Sequence, residues 1–203
     1  MSVLYSLKDV TELVKNLAPR KNILLFYDDL EVKKEILISY LLSSINKGHL
    51  GIYIAGEESL KQIEAYIIKH SKELIDKGLL KILDWSLLHH KLHDWRILIE
   101  DWGKLIEECL EKNLKSPRVC SEMSALYRYL QSKKLIECEE FLHEKLEILN
   151  LGICSYSIKT LVDGKEYDML DLIRIHEYTI IAGSKGAFFI YHQPYTGIAT
   201  YQL

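Results

Sequence analysis

The chain carries little that would interrupt it: three prolines and ten glycines in 203 residues, and no low-complexity linker or internal repeat. A second domain on a flexible tether is therefore not expected. Residues 1–203 are taken as one domain, with 1–19 as an N-terminal helix and linker and 20–203 as the core. No apolar run approaches the roughly 20 residues that cross a bilayer. The opening residues MSVLYSLKDV lack the basic region and apolar stretch of a signal peptide. A cytoplasmic location without membrane contact is the expectation. The four cysteines, Cys109, Cys120, Cys138 and Cys154, form no C-x-x-C pair, so the spacing of a structural zinc site is missing. Reduced, buried thiols are expected instead. Neither sign of charge dominates: 26 basic against 29 acidic residues give a net charge of −3, and direct nucleic-acid binding is not expected.

What is present is alternation of strand and helix patterns. Short apolar runs predict strands over residues 23–27, 50–55, 79–83, 119–122 and 151–155, and a hairpin from 179–182 and 187–191 around Gly183 and Gly186. Helical spacing predicts helices over 6–16, capped by Ser6, and over 30–46, with Gly48 as its stop. Further helices are predicted over 59–70 with a continuation to 77, over 96–113, over 123–149 in two pieces, and over 167–177. Strands separated by helices of ten or more residues imply βαβ units and a mostly parallel sheet. The strands at 23–27, 50–55 and 119–121 are expected adjacent or nearly so, with the hairpin at one edge. Ligands of such sheets lie beyond the carboxyl ends of the strands. Polar groups follow three of those ends: Tyr27-Asp28-Asp29, Gly56-Glu57-Glu58 and Ser121-Glu122.

The run Gly51-Ile52-Tyr53-Ile54-Ala55-Gly56-Glu57-Glu58-Ser59 resembles the strand and double glutamate of KaiC-like ATPases. Ile75-Asp76-Lys77-Gly78-Leu79-Leu80-Lys81-Ile82-Leu83-Asp84 resembles the segment that follows it in that family. The later half is similar to the MEDS sensory domains, a branch named for methanogens, methylotrophs and a dichloromethane-responsive repressor. Arg118-Val119-Cys120-Ser121-Glu122-Met123 resembles their Gly-Glu-Met triplet, and Ile153-Cys154-Ser155-Tyr156 their Cys-x-Tyr element. Asn22 stands where a His commonly opens the first strand, and Ser121 replaces the Gly of the triplet. The resemblance implies a three-layer RecA/KaiC-like α/β fold and a role in signal transduction or transcriptional control.

A phosphate-binding loop has the form G-x-x-x-x-G-K-[ST] after a strand; its glycines let backbone N–H groups cradle phosphate. Laid on this chain without gaps, the frame falls on residues 27–34. Tyr27 and Val32 occupy the glycine positions, Lys33 fits the lysine, and Lys34 replaces the Mg²⁺-binding hydroxyl. Val is a poor fit to a positive-φ turn. Asp28 and Asp29 would each cost about 1–4 kcal/mol beside a phosphate. ATP hydrolysis, a nucleotide cofactor and any catalytic residue are therefore not expected.

The candidate ligand-binding residues are Tyr27, Asp28, Lys33, Glu57, Glu58 and Glu122, at or near strand carboxyl ends. Each has a plainer reading. Glu57 and Glu58 suit a helix N-terminus, where the dipole favours carboxylates. Glu122 could bind a cation or be neutralised by Lys33, Lys34 or Arg118. Lys33 fits the start of an exposed helix. His89 and His93 would share a helical face, alone insufficient for a metal site, so no metal is assigned; with His90 they make a pH-sensitive patch. Cys154 is a packing thiol or a sensing thiol. Tyr178, Tyr191, Tyr195 and Tyr201 are strand formers or an interface stripe. No helix-turn-helix or kinase segment is visible, so output would pass through a partner. The expected function is a sensory module binding a small ligand or a regulatory protein; the alternatives are an oligomerising structural protein and a nucleotide-binding KaiC-like ATPase.

Overall fold

The apolar runs at 23–27 and 50–55 become central strands because each can bury both of its faces. The computed structural model describes residues 4–17, 22–88, 95–127, 132–146, 152–162 and 166–191. Its strands are β1 (Leu4–Tyr5), β2 (Asn22–Tyr27), β3 (Leu50–Ala55), β4 (Leu80–Asp84), β5 (Pro117–Glu122), β6 (Gly152–Ser157), β7 (Tyr178–Gly183) and β8 (Gly186–Tyr191). They form one sheet in the order β1-β8-β7-β2-β6-β5-β3-β4. From β7 to β4 all neighbours are parallel. β8 returns antiparallel along β7, and β1 pairs antiparallel with β8.

Helices cover both faces. On one lie α1 (Leu7–Asn16), α2 (Leu30–Asn46) and α3 (Glu57–Asp76). The other carries α4 (Trp85–Leu88), α5 (Trp95–Glu111), α6 (Met123–Tyr127), α7 (Ser132–Leu146), α8 (Ile158–Val162) and α9 (Glu166–Ile175). Strand alternation divides the core. Ile23 and Leu25 point under α2, whereas Leu24 and Phe26 point to the second face, and none of the four is exposed. Val10 and Val14 of α1 enter the first cluster, so α1 belongs to the same core.

Local chemistry sets the helix ends. Ser6 accepts the Asp9 N–H at 3.2 Å while Asp9 accepts the Ser6 N–H at 3.1 Å, a reciprocal box that starts α1. Gly48 follows α2 at φ +87°, a conformation open to glycine, and ends the helix as its position implied. α3 runs on past residue 70 with one non-helical residue, Ser71 (φ −154°, ψ 28°), where the sequence pattern suggested a junction.

β2, β5 and β3 lie near one another as expected, with β6 between β2 and β5 and hydrogen-bonded to both. The hairpin lies at one edge, with the two-residue β1 added beyond β8; two residues are too short to leave a pattern. The short helices α4 and α8 follow β4 and β6 directly, where no helix was expected.

Candidate functional site

Because β2, β3, β5 and β6 are parallel, their last residues share one edge of the sheet. α2 leaves that edge after only two residues, Asp28 and Asp29. Asp29 is its N-cap: one carboxylate oxygen accepts the N–H of Glu31 at 2.8 Å and of Val32 at 3.1 Å. These are the unpaired helix-end donors that a phosphate would otherwise take.

Beneath this turn is a buried polar cluster. Lys33 is 3% exposed, not at the surface of an exposed helix as expected. Placing Lys33 on the inner side of α2, beside Val32, Ile36 and Leu37, aims its amine at the end of β5. There Lys33 Nζ meets Glu122 Oε1 at 2.7 Å, with both side chains nearly inaccessible. The Tyr53 hydroxyl donates to the same Glu122 oxygen. Lys33 Nζ also lies 5.1 Å from the centre of the Tyr27 ring. Burial, and then the Glu122 carboxylate, hold the Tyr53 phenol well above its usual range.

Of the candidate residues, the structure therefore brings together Tyr27, Lys33 and Glu122 and adds Tyr53. Asp28 lies apart and exposed; its N–H donates to Ala182 O at 3.3 Å and its carboxylate rests against Gly183 of β7. Glu57 and Glu58 open α3 at the same edge, but their side chains lie outside the described residues. Of the two alternatives for Glu122, neutralisation by Lys33 is the one the structure holds, and the carboxylate faces inward. Lys34 and Arg118 do not neutralise it. Lys34 pairs with Glu31 at 2.5 Å, and Arg118 lies at the start of β5, donating from Nε to His49 Nδ1 at 3.3 Å.

Between β5 and β6 the edge is closed by hydroxyls. Ser155 donates to Ser121 O at 3.1 Å, and Ser124 accepts the Ser157 N–H at 2.6 Å. His89, His90, His93, Tyr195 and Tyr201 lie outside the described residues. Tyr178 and Tyr191 stand side by side on the hairpin, ring centres 5.1 Å apart.

The sequence reading missed Tyr53, Glu139 and His176. Tyr53 hides in an apolar strand. Glu139 had a signal: it stands four residues after Leu135 on the buried side of α7, next to the buried Cys138. It is fully buried, accepting the Tyr156 hydroxyl at 2.6 Å and the Cys154 thiol at 3.3 Å. The Cys154 thiol thus has a polar partner inside the core.

A mostly parallel sheet covered by helices on both faces, with an antiparallel C-terminal hairpin, defines a class of protein, the KaiC-like fold. The crystal structure of a KaiC-like protein from the hyperthermophilic archaeon Pyrococcus horikoshii superposes with a TM-score of 0.57, covering 89% of this chain and 82% of that one at 11% identity. That likeness shows the fold. Within it, the model of the methanogen/methylotroph, DcmR sensory (MEDS) domain matches residues 23–177, and the chain belongs to this family. No curated protein matches the sequence. Among the described residues no helix is long and apolar enough to cross a membrane.

Proposed function

We propose that this chain is a sensory and regulatory module that has exchanged nucleotide chemistry for recognition of a small ligand or a protein partner at the carboxyl edge of its sheet. One observation carries the reading: the lysine in the phosphate-loop frame, Lys33, is buried against Glu122 rather than free for phosphate. The Asp29 cap occupies the adjacent helix donors, and family membership supports a sensory role. Asp28 is exposed at this edge, and α3 starts at the same edge with Glu57 and Glu58 in its sequence. These carboxylates suit a cation, an amine or a basic segment. Calorimetric titration with Mg–ATP and Mg–GTP tests the reading. No heat of binding is expected; saturable binding of either nucleotide would overturn it.

An assembly role is the second reading. Phe188 is 42%, Ile190 39% and Tyr191 58% exposed along β8. Apolar side chains gathered on one strand are the kind of surface that subunits cover. Light scattering after size exclusion tests it: a dimer that becomes a monomer in Phe188→Asp/Ile190→Asp supports assembly through β8.

A further inference from the structure

On the sheet face opposite Lys33, three unlike side chains converge from three elements. Glu139 comes from α7, Cys154 from β6 and His176 from the turn between α9 and β7. One ligand atom of each lies within 4.8 Å of the others. Glu139 and His176 have no exposure, and Cys154 is partly buried between them. We propose that Glu139, Cys154 and His176 bind a single divalent transition metal ion of the Zn²⁺ type, leaving a fourth coordination position for water or an exogenous donor.

The donor set fits that ion. One carboxylate oxygen, one sulfur and one imidazole nitrogen are each ordinary zinc ligands, and three of them match an open rather than a closed tetrahedral site. The supporting contacts orient the ligands. His176 Nδ1 lies 2.8 Å from Leu172 O. A carbonyl only accepts, so Nδ1 carries the proton and Nε2 carries the lone pair. That is the tautomer a metal requires, fixed by the backbone contact that metal-binding histidines commonly make. The Tyr156 hydroxyl holds one Glu139 oxygen, and Cys154 Sγ touches the other.

The charges also balance around a cation. Without metal, the Cys154 thiol donates to a Glu139 oxygen at 3.3 Å. On binding, the S–H bond breaks, a proton goes to solvent and a Zn–S bond forms. The dication is then balanced by one thiolate and one carboxylate, with the imidazole neutral. The C-x-x-C spacing that zinc usually leaves in a sequence is missing because the ligands come from separate elements.

The test uses the full chain, stripped with chelator and titrated with Co²⁺ in weak buffer. The expected result is a single Co²⁺ bound, a sulfur-to-cobalt charge-transfer band, tetrahedral visible bands and release of a proton, all reversed by Zn²⁺. Cys154→Ser should abolish the charge-transfer band; Glu139→Gln and His176→Ala should weaken binding about tenfold or more. Cys138→Ala, and replacement of His89, His90 and His93 by Ala, should leave the band in place. Circular dichroism checks that each variant is folded. Should the site variants unfold, the wild-type spectrum decides alone. No charge-transfer band in wild type, or a band that survives Cys154→Ser or is lost in Cys138→Ala, would overturn the proposal.

Discussion

Lys33 and Glu122, 89 residues apart in sequence, meet under α2 as a buried ion pair with a Tyr53 hydroxyl on the same carboxylate. The pair joins the start of α2 to the end of β5 across the edge where KaiC-like folds would be read for a nucleotide. Its burial is costly unless both partners are present, because each charge has left water.

Removing one partner leaves the other charge stranded. Lys33→Met or Glu122→Leu alone should therefore cost about 3–5 kcal/mol of stability. The double variant Lys33→Met/Glu122→Leu should lose much less than the sum, since apolar replacements of buried pairs are often near neutral. Urea unfolding of the four proteins measures the coupling directly. Additive losses would mean that the two side chains do not depend on each other.

Tyr53→Phe removes a donor to a buried carboxylate and little volume. A loss of about 1.5–3 kcal/mol is expected, as for hydrogen bonds to charged groups. The same burial predicts that Tyr53 stays protonated when exposed tyrosines ionise. Spectrophotometric titration to high pH, wild type against Tyr53→Phe, should show no difference until the protein unfolds.

His49 gives a pH signature. Burial first, then the charges of Arg118, Lys115 and Lys47, lower it to about 4, against a contact with Ser116 O that raises it. The unfolded imidazole takes its proton near 6.5. Between these values the unfolded state binds more protons, so stability falls as pH drops from about 6.5 to 4. His49→Gln should flatten that part of the stability–pH curve. An unchanged slope would show that other groups account for it.

Asp28 is exposed, so Asp28→Ala should change stability by less than about 0.5 kcal/mol. In the proposed role, Asp28→Ala combined with Glu57→Ala weakens whatever ligand or partner the edge takes. Binding that survives this double variant but fails in Phe188→Asp would favour assembly through β8.

How much was legible depended on which residues speak locally. Apolar runs such as 23–27 and 50–55, and punctuation such as Ser6, Gly48 and Gly183 to Gly186, carry their structure in their own neighbourhood, so these elements were recoverable. The insertion of β6 between β2 and β5 is a long-range pairing that no local pattern encodes. The candidate site was half legible. Strand ends pointed to Tyr27 and Glu122, but the inward turn of Lys33 depends on which side of α2 faces the sheet. Val32, Ile36 and Leu37 already marked that side, and the amphipathic length of lysine concealed that it could follow them. Glu139 and His176 were invisible as a pair because their meeting with Cys154 is made by the packing of α7 and α9 over β6.

The central claim is that this edge no longer processes nucleotide. Phosphate release from Mg–ATP by the purified chain, beside its Glu57→Gln and Lys33→Met variants, tests it most directly. The account predicts background rates for all three. A wild-type turnover that disappears in Glu57→Gln and in Lys33→Met would contradict it.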